Sequence, residues 1–151
     1  MFRSIVVGTD GSERAGRAVD QAAELAKTCG AKLHLVNAYR GVESSVAAAM
    51  AAGSMVATPD LGDVAQQEAN AIGAALEQQA GALRDKGVDV QTHAVSGSPV
   101  EVMLDIAQDT GSDLIVVGNR GMTGAKRLLG SVPNTLAHHA ECAVMIVPTG
   151  D

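Results

Sequence analysis

"LIVVGNRGMTGAKRLLGSVPNT" (residues 114–135) is the stretch on which the fold turns. Leu114 to Gly118 is continuously apolar rather than alternating, which is the pattern of a strand buried on both faces. A run of the same kind, "SIVVG" (4–8), opens the chain and also ends in glycine followed by polar residues. Strands covered on both faces belong to parallel sheets with helices above and below. Three further apolar runs, "LHLVNAY" (33–39), "AVMIVP" (143–148) and the weaker "VDVQTHAV" (88–95), supply the remaining strands.

Helical patterns fill the intervals. Residues 12–30 place Ala15, Ala18, Val19, Ala22, Ala26 and Cys29 on one face, with Ser12 as cap and Gly30 as stop. Residues 64–87 form a longer helix closed by Gly87. In 98–111, Ser98 stands as N-cap, Pro99 at the first helical position and Glu101 at the capping-box position. Residues 131–141 are the last helix. Strands alternating with helices predict an α/β fold built from βαβ units, one domain over 1–151 without internal repeats. The misfit is the segment from Arg40 to Gly62, whose "SSVAAAMAAGSMVATPDLG" is too long for a plain connection and is expected as a partly ordered loop or a lid.

Composition removes several functions. A hydrophobic content of 46% excludes a disordered chain, and a net charge of −6 argues against nucleic acid or an anionic membrane as partner. Arg120, Lys126 and Arg127 are the best candidates for a local basic patch. With Phe2 and Tyr39 as its aromatics, the chain has no stacking platform for single-stranded nucleic acid. Cys29 and Cys142 lie far apart with no CxxC, as expected of buried thiols in a reducing compartment. No apolar run approaches the roughly 18 residues of a membrane span, so a cytoplasmic protein is expected.

In an open α/β sheet, ligands bind beyond the carboxyl ends of strands where neighbouring connections run to opposite faces. If the strands 4–8 and 114–118 are such neighbours, Asp10 sits opposite Gly118-Asn119-Arg120-Gly121 across one crevice. Gly118, Gly121 and Gly124 permit positive φ and close approach of backbone N–H groups to an anion. Ser131, following Gly130 at a helix start, adds a hydroxyl and the positive end of the helix dipole. The same glycines also suit tight turns after buried strands, and Asp10 can cap an Asx-turn as well as accept from ribose hydroxyls. The second strand ends in "NAYR", which offers backbone groups to an adenine edge. There is no GxxxxGK[ST] loop, and no GxGxxG follows the first strand. The histidines, His34, His93, His138 and His139, are read as not converging, so no metal site is expected. No nucleophile with an adjacent base is legible, which leaves catalysis unsupported.

Together, "IVVGTDGSERAGRAVDQAAELA", "GSPVEVMLDIAQDTGSDLIVVGNRG" and "LLGSVPNTLAHHAECAVMIV" resemble the universal stress proteins, over nearly the whole chain and least across 40–64. The resemblance implies a Rossmann-like, adenine-nucleotide α-hydrolase-like fold: a five-stranded parallel sheet in order 3-2-1-4-5 with helices on both faces. It also implies a cytoplasmic homodimer that binds ATP, AMP or cyclic AMP, with Mg2+ as an optional companion, in a regulatory or stress-response role. The alternatives within the family are a non-binding dimeric interaction protein and a slow ATP hydrolase. Binders share a G-2x-G-9x-G-[ST] signature, which Gly118, Gly121, Gly130 and Ser131 match except that eight residues, Met122 to Leu129, separate the second and third glycines. That shortens the loop's maximum reach by roughly 3.5 Å. By family likeness Gly8, Thr9 and Asp10 line the ribose and Ala38 holds the adenine by its backbone. Gly118, Arg120, Gly121, Gly130, Ser131 and Val132 then take the phosphates, although Pro133 brings no N–H to that helix start.

In the 3-2-1-4-5 order the strand 143–147 is an edge, wholly apolar and without charge, and such an edge needs cover. Antiparallel pairing with the same strand of a second copy supplies it, burying Val144 and Ile146 or Met145 and Val147. The alternative is cover from the last helix and the 40–64 segment of the same chain.

Overall fold

The computed structural model describes residues 1–53, 61–119 and 131–150. Its elements follow as β1 (Ser4–Gly8), α1 (Glu13–Cys29), β2 (Lys32–Tyr39), α2 (Val42–Ala51) and α3 (Leu61–Asp85), then β3 (Asp89–Ser96), α4 (Pro99–Asp109), β4 (Leu114–Gly118), α5 (Val132–His139) and β5 (Ala143–Val147). The strands form one five-stranded sheet in the expected order β3-β2-β1-β4-β5, every pairing parallel.

The continuous apolar reading of β1 and β4 has its cause in two separate cores. Ile5, Val7, Leu114 and Val116 join Leu33 and Leu35 on the face covered by α1 and α3, where Val19, Ala22, Leu76 and Ala80 meet them. The alternate residues Val6, Ile115 and Val117 join Val36 on the other face, against Met103 and Ile106 of α4 and Leu136 of α5. Both faces are dry, so neither strand can alternate.

The caps behave as read at α1, where Ser12 accepts from the Ala15 N–H and Gly30 takes a left-handed φ of 66°. At α4 Pro99 sits in the first turn, but the Ser98 side chain makes no capping bond. The segment expected as loop or lid is corrected in its first half: Val42–Ala51 is helical. Its alanines and methionine favour helix wherever nothing opposes it, yet Val46 to Ala51 is apolar without a break and the helix has no side-chain cap. It therefore shows no stripe from which a period can be read. Leu61 and Gly62, at the other end of that segment, belong to α3, and residues 54–60 lie outside the described residues.

Candidate functional site at the sheet's carboxyl edge

β1 and β4 are neighbours, with Ile5, Val6 and Val7 opposite Leu114, Ile115 and Val116. From β1 the chain runs to α1 on one face, and α5 packs on the other. The chain thus leaves the sheet to opposite faces, and a cleft of about 210 Å³ lies at the strand ends. It is lined by Gly8, Thr9 and Asp10 after β1, Ala38 of β2, Gly118 of β4 and Val132 of α5. Six of the ten residues anticipated for a ligand are thus gathered at one place. Ser131 stands beside them as N-cap of α5, its hydroxyl accepting from the Asn134 N–H at 3.4 Å. Arg120, Gly121 and Gly130, with Gly124, Lys126 and Arg127, lie outside the described residues.

The wall after β1 is fixed by its own hydrogen bonds. The Thr9 N–H donates to the Val36 carbonyl at 2.8 Å, and the Thr9 hydroxyl accepts from the Gly11 N–H at 3.1 Å. Asp10 Oδ1 accepts from the Ser12 N–H at 2.9 Å, so the Asx-turn reading of Asp10 holds while the residue still faces the cleft. Gly11 supplies the positive φ, 78°, that this turn requires.

Gly8 and Gly118 owe their place to packing rather than to glycine's freedom of φ. Neither has positive φ. A Cβ on Gly8 would come within 2.9 Å of Met103 Sδ, and one on Gly118 within 2.8 Å of Thr149 Cγ2. At Gly118 the threonine leaves no room for a Cβ, at Gly8 a Cβ would have to displace the end of the Met103 side chain, and both glycines line the cleft with bare backbone. Met103 and Thr149 were missed by sequence reasoning, as was Arg14 in the first turn of α1. Arg14 had a usable signal: a cation one turn into the helix that follows the β1 loop is near the switch point.

The histidines need correction. His34 Nδ1 and His93 Nε2 lie 2.9 Å apart, joining β2 to β3. Both side chains sit on one face because His93 is in register with Val36, two residues beyond His34. Burial first, then the charge His93 would carry, pushes His34 from 6.5 down to about 4, and burial lowers His93 as well. The pair is therefore neutral near pH 7, one ring donating and the other accepting. Among the described residues no group of three or more His, Cys, Asp or Glu is placed to hold a metal ion. Cys29 and Cys142 are free and half-buried. Among the same residues no helix is long and apolar enough to cross a membrane.

Comparison with known proteins agrees with this geometry. The model of the universal stress protein family matches residues 1–148. The universal stress protein YxiE of Bacillus subtilis is 33% identical over 97% of this chain and 99% of its own length. The universal stress protein Rv1636 of Mycobacterium tuberculosis is 34% identical over 98% and 97% respectively. Among solved structures, a universal stress protein in complex with cAMP superposes with a TM-score of 0.73 at 32% identity, covering 99% of this chain and 98% of the other.

Proposed function

This chain belongs to the universal stress protein family, and from that premise we propose that its cleft binds an adenine nucleotide in a regulatory role. The observation that carries the proposal is the pair of side-chain-free backbones, Gly8 and Gly118, facing one another at the switch point. Bare backbone lets N–H and C=O groups reach a ligand at van der Waals distance. Val36, Met103 and Pro99 add an apolar slot of the kind a purine ring fills, beside the backbone of Ala38. Asp10 faces the sugar, and the capped start of α5 at Ser131 and Val132 supplies the positive dipole end for phosphates. Support also comes from the cAMP complex of the similar protein. ATP, AMP and cyclic AMP all satisfy this chemistry, Mg2+ accompanying the first, and the cytoplasm is the compartment we assign. We take the functional unit to be a homodimer joined through β5.

Isothermal titration of the purified protein with ATP, AMP and cyclic AMP tests the reading. Saturable heat with at least one of them is expected, and none at high micromolar ligand rejects it. Gly8→Val, which puts a branched side chain into the Met103 contact and the slot, should abolish that heat. Asp10→Ala should weaken binding by about 1 kcal/mol, the low end for a lost charged acceptor because Asp10 is exposed.

A further inference from the structure

The cleft wall on the Gly118 side is built by the last described residues of the chain. β4 and β5 end together at the register pair Gly118 and Val147. Beyond that pair the strands have no ladder left, yet they do not part. The Asn119 N–H donates to the Val147 carbonyl at 2.9 Å. The Asn119 side chain then accepts at Oδ1 from the Thr149 N–H at 2.8 Å and from the Thr149 hydroxyl at 3.0 Å. A carboxamide oxygen thus stands in for the backbone carbonyl that β4 no longer provides. The carboxamide turns its oxygen, not its nitrogen, to Thr149, since a backbone N–H can only donate.

The bonds matter because of where Thr149 lies. It is only 3% exposed, so its N–H has no recourse to water, and it touches both Gly118 and the cleft. Its hydroxyl proton is committed to Asn119, so towards a ligand the group can only accept. An acceptor-only hydroxyl does not bind an unprotonated phosphate oxygen; it shapes the wall against which Gly118 is held.

We infer that Asn119 and Thr149 act as one clasp that positions Gly118, and so sets affinity for the phosphate end of the ligand rather than for its nucleoside end. The inference rests on the adenine-nucleotide reading of the cleft. Its logic is spatial: Thr9 and Ala38 are fixed by β1 and β2, and the Thr9 bonds run to Val36 and Gly11. Gly118 and the start of α5 lie on the clasp's side.

The test is titration of the parent, Thr149→Val, Asn119→Ala and the double variant with adenosine, AMP and ATP, with melting curves to establish folding. Asn119→Ala removes both bonds and should lower AMP and ATP affinity about tenfold, while adenosine stays within about twofold of the parent. Thr149→Val keeps shape and the backbone bond, so a loss of about threefold for AMP and ATP is expected. The double variant should match Asn119→Ala alone, because the two residues form one unit. Folded Thr149→Val or Asn119→Ala protein that binds AMP and ATP as the parent does would overturn the inference, as would an equal loss for adenosine. A parent that binds none of the three instead overturns the nucleotide reading beneath it.

Discussion

The sheet has two edges, and each shows one large apolar residue to solvent: Val95 on β3 and Ile146 on β5, both 37% exposed. Their surroundings differ. At β3, Arg84 of α3 reaches over the strand, its Nε and Nη2 donating to the Val90 carbonyl at 3.2 and 2.9 Å. The same guanidinium pairs with Glu77, which accepts from the Thr92 hydroxyl at 2.8 Å, and Lys32 faces Asp89 at 3.9 Å. At β5 no residue from Ala143 to Val147 is charged, and among the described residues it pairs with β4 alone. One edge is closed by polar groups that another strand would have to strip away; the other, among the described residues, has no such cover. Exposure of a single side chain is therefore a poor guide to where a sheet extends.

The largest effect that separates the edges should be on assembly. With a homodimer formed through β5, Ile146→Lys places a charge in the pairing surface and should give a monomer by light scattering. Val95→Lys, matched in exposure, should leave the dimer intact. Ile146 is a cleaner site than its neighbours, because Val147 is in the core and Met145 packs against it, so changing either would test folding as much as pairing. A dimeric Ile146→Lys protein would place the interface elsewhere and erase the distinction between the edges.

The difference in what the sequence revealed follows the same division between local and distant causes. β1 and β4 were readable because burial on both faces is written residue by residue into "SIVVG" and "LIVVG". The positive φ expected at Gly118 is absent, and the contacts that crowd a Cβ at Gly8 and Gly118 come from Met103 and Thr149, far along the chain. The His34–His93 pair was missed because it depends on the β2–β3 register, 59 residues apart, and not on any spacing. Helix α2 escaped because the unbroken apolar run from Val46 to Ala51 carries propensity but no period.

That histidine pair makes β3 sensitive to acid in a way β5 is not. Burial and mutual repulsion hold His34 at about 4 in the folded protein, against 6.5 when unfolded. Lys32 adds to the lowering and Asp89 opposes it. Between these values the unfolded chain binds more protons, so the pair's contribution is intact above about pH 6.5 and is lost as pH falls towards 4. His93 is half-buried at the edge, where water screens part of the effect, so the expected loss is on the order of 1–2 kcal/mol. Urea unfolding at pH 7.5 and 4.5 should show the parent losing more stability than His34→Val/His93→Val, which removes both polar partners together. Equal losses would mean that the acid sensitivity has another source.

The smallest effect should come from Arg84, although it makes the most hydrogen bonds at the β3 edge. Its ion pair with Glu77 is solvent-exposed on both sides, so the attraction is screened and the side chains give up rotamer freedom to form it. The bonds to the Val90 carbonyl are readily replaced by water at an open edge. Arg84→Ala should therefore move the melting temperature less than the paired histidine substitutions do. Its consequence lies in association: the Val90 carbonyl becomes available to a strand that approaches β3. The Lys32–Asp89 pair still opposes that approach, so the variant should keep the parent's mass at ordinary concentrations and form larger species only when concentrated. Light scattering across a concentration series reads this directly. Larger assemblies from Arg84→Ala in the dilute sample would mean that β3 is kept solitary by one arginine, and that the two edges differ less than their composition implies.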